Sequence, residues 1–301
     1  MIASVTLNPA VDYTVELSEP LADGAVARSD EYRYDAGGKG INVSKYLVEL
    51  DAETVATGLV GGHLGGFLLE HLDSELPTDF VEVDGETRLN TTVLAPEDEY
   101  KINQNGPQAS ARSIDAVIDR LREYDPETVV VAGSLPPGIG VSAIDRLADA
   151  GPWETVVDVD GATLAALSGE YALCKPNDEE LAAATGREVK TVEDALAAAQ
   201  TLRSGGFERV VASLGNDGAV MATPDQQLHA PASDVEVVDT VGAGDSLLAG
   251  VLASSARGET DAQALQSGVA VSSRVVSVCG TQVPTLTDVD DDRQSIAIST
   301  F

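Results

Sequence analysis

Short apolar segments alternate with longer amphipathic segments along almost the whole chain, and this alternation limits the possible folds more than any other feature. The strand-like segments are 3–7, 54–60 (TVATGLV), 128–133 (TVVVAG), 155–160 (TVVDVD) and 209–215 (RVVASLG). The helix-like segments are 38–50, 113–124, 141–150, 194–206 and two long ones within 245–280. Apolar strands joined by helical crossovers form parallel sheets that helices cover on both faces. The chain is therefore predicted to be an α/β protein with a mainly parallel sheet.

A second, smaller sheet is predicted from two regions that lack this rhythm. Apolar and polar residues alternate in 11–17 (VDYTVEL), 87–94 (TRLNTTVL) and 99–105 (EYKINQN), which indicates antiparallel strands with one face in water. Because these strands come from distant parts of the chain, the small sheet would project from the main sheet as a lid. The 301 residues contain no low-complexity linker and suffice for one large α/β domain or two ordinary ones.

The charge of the chain excludes two classes of partner. Fifty Asp and Glu residues against 18 Lys and Arg residues give a formal net charge of −32. A surface this acidic repels nucleic acids and anionic membranes, so we expect neither as a partner. The acidic residues are scattered along the chain, which indicates adaptation to concentrated salt, where screening weakens self-repulsion. A calcium-binding acidic protein is the competing interpretation, but no EF-hand spacing supports it.

Several features favour a cytoplasmic location. The N-terminal segment MIASVTLNPA has no basic region ahead of an apolar stretch, so we expect no signal peptide, and the apolar runs are too short to cross a bilayer. Cys174 and Cys279 are interpreted as free buried thiols of a cytoplasmic protein rather than as a disulfide. The three histidines have no ligand spacing, so we expect no zinc site.

Glycine-rich turns follow several of the predicted strands, where α/β sheets bind their ligands. In 35–43 (DAGGKGINV), Gly37 and Gly38 let the backbone approach a ligand, and Lys39 adds a cation suited to a phosphate or a sugar oxygen. This is not a Walker motif, because Gly40 follows Lys39 where Ser or Thr is required. A glycine turn with a solvated lysine remains an open alternative.

Two further glycine clusters are less specific. The segment 57–66 (TGLVGGHLGG) carries no reactive side chain and is interpreted as close backbone packing beside the site. The segment 212–219 (ASLGNDGA) is compatible both with a loop that binds nucleotide phosphates and with a hairpin turn.

The most informative turn is 239–250 (DTVGAGDSLLAG), in which Gly242, Ala243 and Gly244 precede a single acid, Asp245. The apolar residues that follow (Leu247, Leu248, Val251, Leu252) fall on one helical stripe and predict a helix packed into the core. An acid at a helix N-terminus is commonly a cap, but a cap does not require Gly-Ala-Gly before it. Free backbone amides beside a carboxylate can accept a proton and stabilise anionic oxygens together, as phosphoryl transfer to a hydroxyl requires.

Taken together, the motifs resemble those of one enzyme family. TVGAGDSLLAG (240–250) and AGGKGIN (36–42) are similar to the C-terminal and N-terminal signatures of the ribokinase-like (phosphofructokinase B) carbohydrate kinases. TLNPAVD (6–12), TRLN (87–90), GSLPPG (133–138) and KPNDEEL (175–181) resemble the branch containing 1-phosphofructokinase and tagatose-6-phosphate kinase. SLGNDGA (213–219) falls where that family binds nucleotide. Each motif is weak alone, but the set occurs in family order from about residue 6 to 280.

The resemblance implies an architecture. It is a single kinase domain over residues 1–301, with a three-layer α/β/α ribokinase-like core and a small β-sheet lid formed by about 9–36 and 84–107. Lids of this family often pair, so the resemblance also implies a homodimer through the lid.

The resemblance also implies roles for single residues. Asp245 would be the catalytic base, and the amides of Gly242, Ala243 and Gly244 would surround the transferring phosphoryl group. The residues on the sugar side would be Asp12, Gly37, Gly38, Lys39, Asn42, Arg88, Asn90 and Ser134, with Arg88 on the substrate's phosphate. The residues on the ATP side would be Lys175, Asn177, Ser213, Gly215 and Gly218, with Glu180 holding Mg²⁺ through water. Ser134 and Asn90 could equally be structural hydrogen-bonding groups, and Lys175 could simply pair with a nearby acid.

The implied reaction is phosphorylation of a sugar phosphate by ATP. The TLNPAVD and TRLN motifs favour fructose 1-phosphate, while fructose 6-phosphate and tagatose 6-phosphate remain alternatives, and a non-catalytic sugar-phosphate-binding protein is a fourth. The segment 271–282 (VSSRVVSVCGTQ) departs from the family, because neither Arg274 nor Cys279 matches a role there. Potassium as a further cofactor is a hypothesis that rests on the family and on the salt-adapted composition.

Overall fold

The computed structural model describes residues 1–29, 31–278 and 283–301. It contains a large sheet and a small sheet, whose strands alternate with helices along the chain. The strands are β1 (Ile2–Thr6), β2 (Ala10–Glu16), β3 (Glu31–Gly37), β4 (Thr54–Val60), β5 (Val81–Glu82), β6 (Arg88–Leu94), β7 (Glu99–Asn103), β8 (Thr128–Ala132), β9 (Glu154–Asp158), β10 (Tyr171–Cys174), β11 (Phe207–Ser213), β12 (Ala219–Ala222), β13 (Gln227–Ala230) and β14 (Ser299–Thr300).

The helices cover both faces of the large sheet. They are α1 (Lys39–Glu49), α2 (Gly62–Leu72), α3 (Ala111–Tyr124), α4 (Ser142–Ala148), α5 (Gly161–Ala166), α6 (Asp178–Thr185), α7 (Val192–Arg203), α8 (Ala243–Ala256), α9 (Asp261–Val275) and α10 (Val289–Arg293). None of the described helices is long and apolar enough to span a membrane.

The large sheet has the strand order β14-β13-β12-β11-β10-β9-β8-β1-β4-β5. Every pair from β11 to β5 is parallel, as predicted. The strands β12, β13 and β14 extend this sheet in antiparallel pairing. The direction changes because the short turn Leu214–Gly218, and not a helical crossover, joins β11 to β12.

Two apolar layers bury the large sheet and confirm the three-layer core. Successive residues of β8 point to opposite layers, since Val129 and Val131 pack in one cluster while Val130 and Ala132 pack in the other. The first cluster contains side chains of α3 to α7, and the second contains those of α1, α8, α9 and α10. Cys174 at the end of β10 is a free, buried thiol, as predicted, whereas Cys279 lies outside the described residues.

The small sheet has the order β3-β2-β6-β7 and confirms the predicted second sheet. Its outer pairs, β2–β3 and β6–β7, are antiparallel. The prediction of antiparallel strands was wrong for the central pair, because β2 and β6 are parallel. Both strands continue from the carboxyl ends of large-sheet strands, β2 from β1 and β6 from β5, so they leave the same edge in the same direction. The small sheet therefore stands over the carboxyl edge of the large one.

Candidate active site

The opening of α8 is a glycine turn at this carboxyl edge. Gly242 is the N-cap residue with φ of +79°, a conformation that glycine adopts without strain. A Cβ atom at this position would lie 2.4 Å from the hydroxyl oxygen of Tyr46, so the turn also lacks space for a side chain. The Ala243 amide donates to the Thr240 carbonyl over 3.2 Å, whereas the amides of Gly242 and Gly244 have no acceptor among the described residues. Two of the three amides assigned to the anion site are thus free, and the third is engaged in the turn.

Asp245 lies in the first turn of α8 with 7% of its surface exposed. Its carboxylate caps no amide of the helix, which argues against the simple cap interpretation. Instead, Asn42 Nδ2 donates to Asp245 Oδ2 over 2.8 Å. The pKa of Asp245 is raised to about 6 as the net result of opposing causes. Burial and the nearby negative charge of Asp158 raise it, while the Asn42 hydrogen bond and the charges of two lysines lower it. A carboxyl with this pKa is ionised at neutral pH and can still accept a proton.

Sequence reasoning missed Asp158, which organises the two lysines of the site. It ends β9, is fully buried, and lies 2.7 Å from Lys39 Nζ through Oδ1 and 3.3 Å from Lys175 Nζ through Oδ2. The Lys175 contact lacks hydrogen-bond geometry, which leaves Asp158 Oδ2 without a hydrogen bond. Burial alone would lower the pKa of Lys39, but the charge and hydrogen bond of Asp158 outweigh it and raise that pKa. Lys39 is thus a charged, held group and not the solvated lysine of the alternative interpretation.

Lys175 is paired with an acid, as its structural alternative predicted. Its side chain is 4% exposed, and a Cβ atom on Gly244 would lie 3.0 Å from its Nζ. The lysine therefore lies directly beside the free amide of Gly244. The ion pair with Asp158 therefore keeps the positive charge of Lys175 at the opening of α8.

The sugar-side residues meet where the small sheet joins the large one. Asp12 on β2 accepts a hydrogen bond from Asn90 Nδ2 on β6 over 2.9 Å, because Asp12 and Asn90 are cross-strand partners. Burial raises the pKa of Asp12. Gly37 faces the same carboxylate, since a Cβ atom there would lie 1.9 Å from Asp12 Oδ2. Gly38, with φ of +138°, then leads into α1.

Arg88 also lies at this junction, and its Nε donates to the Asn8 carbonyl over 3.1 Å. No described carboxylate lies within ion-pair distance of its guanidinium. Burial lowers the pKa of Arg88, which nevertheless stays protonated, and the Asp12 charge opposes this shift. Ser134 accepts a hydrogen bond from Asn8 Nδ2 over 3.1 Å, in line with its structural alternative. Asn8, a second residue that sequence reasoning missed, thus links Arg88 and Ser134.

A cavity of about 510 Å³ opens on the other side of the α8 turn. Ser213, Gly215 and Gly218 form one wall, and Ala243 and Gly244 line its inner end. The hairpin-turn interpretation of the 212–219 segment is confirmed, because a tight turn joins the antiparallel strands β11 and β12. The same turn lines the cavity, and its binding of nucleotide phosphates stays a prediction. The remaining wall combines apolar and polar side chains: Val235, Val237, Leu247, Val269 and Val276 together with Asn216, Ser233, Asp234, Thr240, Ser272 and Ser273.

Asn177 and Glu180 form the N-terminal capping box of α6. Asn177 Oδ1 accepts from the Glu180 amide over 2.7 Å, and Glu180 Oε2 accepts from the Asn177 amide over 2.9 Å. Glu180 Oε1 is 3.5 Å from Lys39 Nζ. The described residues contain no cluster of three or more His, Cys, Asp or Glu side chains that could hold a metal by themselves. The oxygens of Glu180 and the orphaned Oδ2 of Asp158 fit Mg²⁺, which commonly takes few carboxylates and completes its shell with phosphate and water.

Arg274, for which the sequence indicated no role, attaches the C-terminal segment to α9. It donates to the Thr285 carbonyl over 3.2 Å and forms ion pairs with Asp288 and with Asp292. Of the segment 271–282, Ser272, Ser273 and Val276 line the cavity together with Val269, and 279–282 lie outside the described residues.

Comparisons with known proteins agree with this geometry. Residues 5–288 match the model of the pfkB family carbohydrate kinases. A 1-phosphofructokinase from Haloferax volcanii is 52% identical over 301 residues, which is 100% of this chain and 99% of the relative. A 1-phosphofructokinase from Bacillus subtilis is 36% identical over 84% of this chain and 85% of its own length. The crystal structure of phosphofructokinase-2 from Escherichia coli in complex with potassium is 28% identical, with a TM-score of 0.87 over 97% of this chain and 96% of that one.

Proposed function

The chain belongs to the pfkB family of carbohydrate kinases, and on that premise we propose that it transfers the γ-phosphoryl group of ATP to fructose 1-phosphate to form fructose 1,6-bisphosphate. The names of the two relatives support this sugar phosphate. The single observation that carries the proposal is the position of Asp245, a buried carboxyl with a pKa of about 6 beside the free amides of Gly242 and Gly244.

The reaction follows from this arrangement. ATP occupies the cavity lined by Ser213, Gly215 and Gly218, with its phosphates directed at the opening of α8. The free primary hydroxyl of the sugar phosphate loses its proton to Asp245, whose Oδ1 is left available because Asn42 engages Oδ2. The hydroxyl oxygen forms a bond to the γ-phosphorus while the bond from that phosphorus to the ADP oxygen breaks.

Charge on the transferring group is stabilised by donors that are already in place. The amides of Gly242 and Gly244, together with the positive end of the α8 dipole, face the equatorial oxygens. Lys39 and Lys175 add positive charge and are held by Asp158, so they need little reorganisation. Mg²⁺ would neutralise phosphate charge when bound, and Glu180, through water, and Asp158 are the residues that would hold it.

Recognition of the sugar phosphate is assigned to the small sheet. Arg88 has a guanidinium free of carboxylate partners in the described part of the chain and would bind the phosphate already on the substrate. Asp12, oriented by Asn90, would accept hydrogen bonds from sugar hydroxyls. In this proposal, residues 1–301 act as one kinase domain, and the lid of about 9–36 and 84–107 closes over the sugar and excludes water.

The lid is also proposed to form a homodimer. One of its faces carries Asp12 and Asn90, while the opposite face carries a cluster of tyrosine rings at 13, 32 and 34. Tyr32 is 65% exposed and Ile102 is 62% exposed on that second face. Large exposed apolar side chains on one sheet face are typical of an interface.

Two further proposals concern location and cofactors. A cytoplasmic location is supported by two features. The proposed reaction consumes ATP, and Cys174 is a free, buried thiol. A requirement for potassium is supported by the potassium complex of the E. coli relative, and it predicts higher activity in KCl than in NaCl at equal ionic strength.

A coupled ADP-release assay in molar KCl tests the proposed function directly. We expect the highest kcat/KM with fructose 1-phosphate and lower values with fructose 6-phosphate and tagatose 6-phosphate. A preference for either of the other two would keep the chemistry and change the substrate. No ADP release with any of the three, despite measurable binding of a sugar phosphate, would identify a non-catalytic binding protein.

A further inference from the structure

Helix α1 directs three polar side chains at the opening of α8. Lys39, Asn42 and Tyr46 are spaced at i, i+3 and i+7 and therefore share one face of the helix. Lys39 reaches Asp158 and Asn42 reaches Asp245, as described above. The third member of this face, Tyr46, has no role in the reaction scheme.

Tyr46 is a buried residue whose hydroxyl lies against the glycine turn. Only 3% of its surface is exposed, and its ring packs among the apolar side chains between α1 and α8. The hydroxyl oxygen would be 2.4 Å from a Cβ atom at position 242, and the ring carbon that carries it would be 3.5 Å away. No described residue forms a hydrogen bond with this hydroxyl. Burial and the negative charge of Asp245 both raise the pKa of Tyr46, so the hydroxyl stays protonated.

The turn that Tyr46 contacts follows a segment without regular secondary structure. Residues 231–240 contain no helix or strand, and Val238 and Val241 are 56% and 47% exposed. Within the turn, the Val241 amide donates to the Asp239 carboxylate and the Ala243 amide donates to the Thr240 carbonyl. Helix α9 and its end hold the turn from another side, because Ser272 Oγ donates to the Ala243 carbonyl and the Val238 amide donates to the Val276 carbonyl. On the cavity side the turn faces open space, whereas on the α1 side the Tyr46 hydroxyl is in contact with it. On the α1 side, the Tyr46 side chain therefore supplies the atoms nearest to position 242, with the hydroxyl oxygen foremost.

We propose that Tyr46 is a positioning residue of the phosphoryl-transfer site, whose hydroxyl holds the Gly242 turn, and with it the two free amides and Asp245, in the geometry that the reaction requires. This inference rests on the proposed kinase function. Phosphoryl transfer depends on placement of the donors, and a misplacement of about 1 Å can cost about 100-fold in rate. Tyr46→Phe keeps the buried ring and removes only the atom that contacts the turn.

A double-mutant cycle tests this role. Tyr46→Phe is expected to lower kcat by about 10-fold or more, with KM for ATP and for the sugar phosphate within about twofold of the parent. Gly242→Ala is expected to be far more damaging, because the methyl group meets the hydroxyl. In the double variant the methyl group at position 242 no longer meets a hydroxyl. We therefore expect the fold-decrease in kcat to be smaller than the product of the two single fold-decreases. Tyr124→Phe, at an exposed tyrosine of α3, serves as the matched control with unchanged kcat.

The outcomes separate this inference from the proposed function. An inactive parent enzyme would refute the kinase proposal and would leave the cycle without a rate to measure; in that event the inference falls with it. An active parent with kcat of Tyr46→Phe within twofold, and with additive losses in the cycle, would refute the role of Tyr46 alone. A lower melting temperature of Tyr46→Phe with unchanged kcat would also count against it, since a purely structural residue behaves in that way.

Discussion

Removal of the amide of Asn42 should shift the pH dependence of the reaction. Asn42 Nδ2 donates to Asp245 Oδ2 over 2.8 Å, and this bond lowers the pKa of a carboxyl that burial and Asp158 raise to about 6. Hydrogen bonds to charged groups contribute about 1.5–3 kcal/mol, and one pKa unit corresponds to about 1.4 kcal/mol. The substitution Asn42→Ala should therefore raise the pKa of Asp245 by about 1–2 units, less where water replaces the amide.

The sign of the effect on activity follows from the role of Asp245 as a base. Only the ionised carboxylate accepts the proton, so activity falls as the pH drops through this pKa. The acidic limb of kcat/KM should lie near pH 6 in the parent enzyme and about 1–2 units higher in Asn42→Ala. Lys39, Lys175, Asp158 and Tyr46 face Asp245 in both proteins, so their contribution is common to the two profiles.

The measurement is a set of kcat/KM profiles from about pH 5 to 9 at fixed molar KCl. Asn90→Ala provides a matched control, because Asn90 also donates to an aspartate of the site, Asp12, but does not contact the base. Asn90→Ala should weaken sugar binding without moving the acidic limb. Because the same sugar phosphate is used with every variant, this control also reveals any part of the acidic limb that comes from ionisation of the substrate. Coincident acidic limbs for the parent and Asn42→Ala would refute the assignment of Asn42 as the group that tunes the base.

Three further outcomes are expected. Asp245→Asn should raise the melting temperature at pH 7.5. Because the pKa of Asp245 is raised in the folded state, the free energy of unfolding decreases as the pH rises from about 4 to 6, by at most about 3 kcal/mol. An equal or lower melting temperature would argue against a destabilising buried charge. Arg88→Ala should raise KM for the sugar phosphate much more than KM for ATP, and a change confined to ATP would contradict its assignment. If the proposed dimer through the lid forms, Ile102→Asp should convert it to a monomer in light scattering, whereas a persistent dimer would locate the interface elsewhere.

The general architecture could be predicted from the sequence because it depends on local periodicity. Each apolar segment of the alternation, such as 54–60, became a strand, and the glycine-rich turn before Asp245 became a helix opening. Strand direction in the small sheet could not be predicted in this way. The pattern in 11–17 gives the buried face of a strand but not its partner, and the parallel pairing of β2 with β6 follows from where both strands leave the large sheet.

The interior of the site could be predicted only in part, for a related reason. Asp158 could not be recognised as a functional residue, because acids at a strand end, here Asp158 and Asp160, are typical of any turn. Its partners are also distant in sequence, with Lys39 119 positions away. Tyr46 lies within a predicted helix, where an aromatic residue is typical of core packing, and only the structure places its hydroxyl beside Gly242. The motifs drew attention to residues such as Asn42 as sugar-side contacts, which stays a prediction, and the structure adds a hydrogen bond from Asn42 to Asp245 that the motifs do not reveal.

The central claim is that Asp245 accepts the proton of the sugar hydroxyl. The most direct test is the kcat of Asp245→Ala with fructose 1-phosphate, measured alongside its KM for ATP. We expect kcat to fall by at least about 100-fold, in line with loss of a general base, while KM for ATP stays close to that of the parent. A variant that keeps a tenth or more of the parent kcat would contradict the claim, because the amides and lysines alone would then account for the rate.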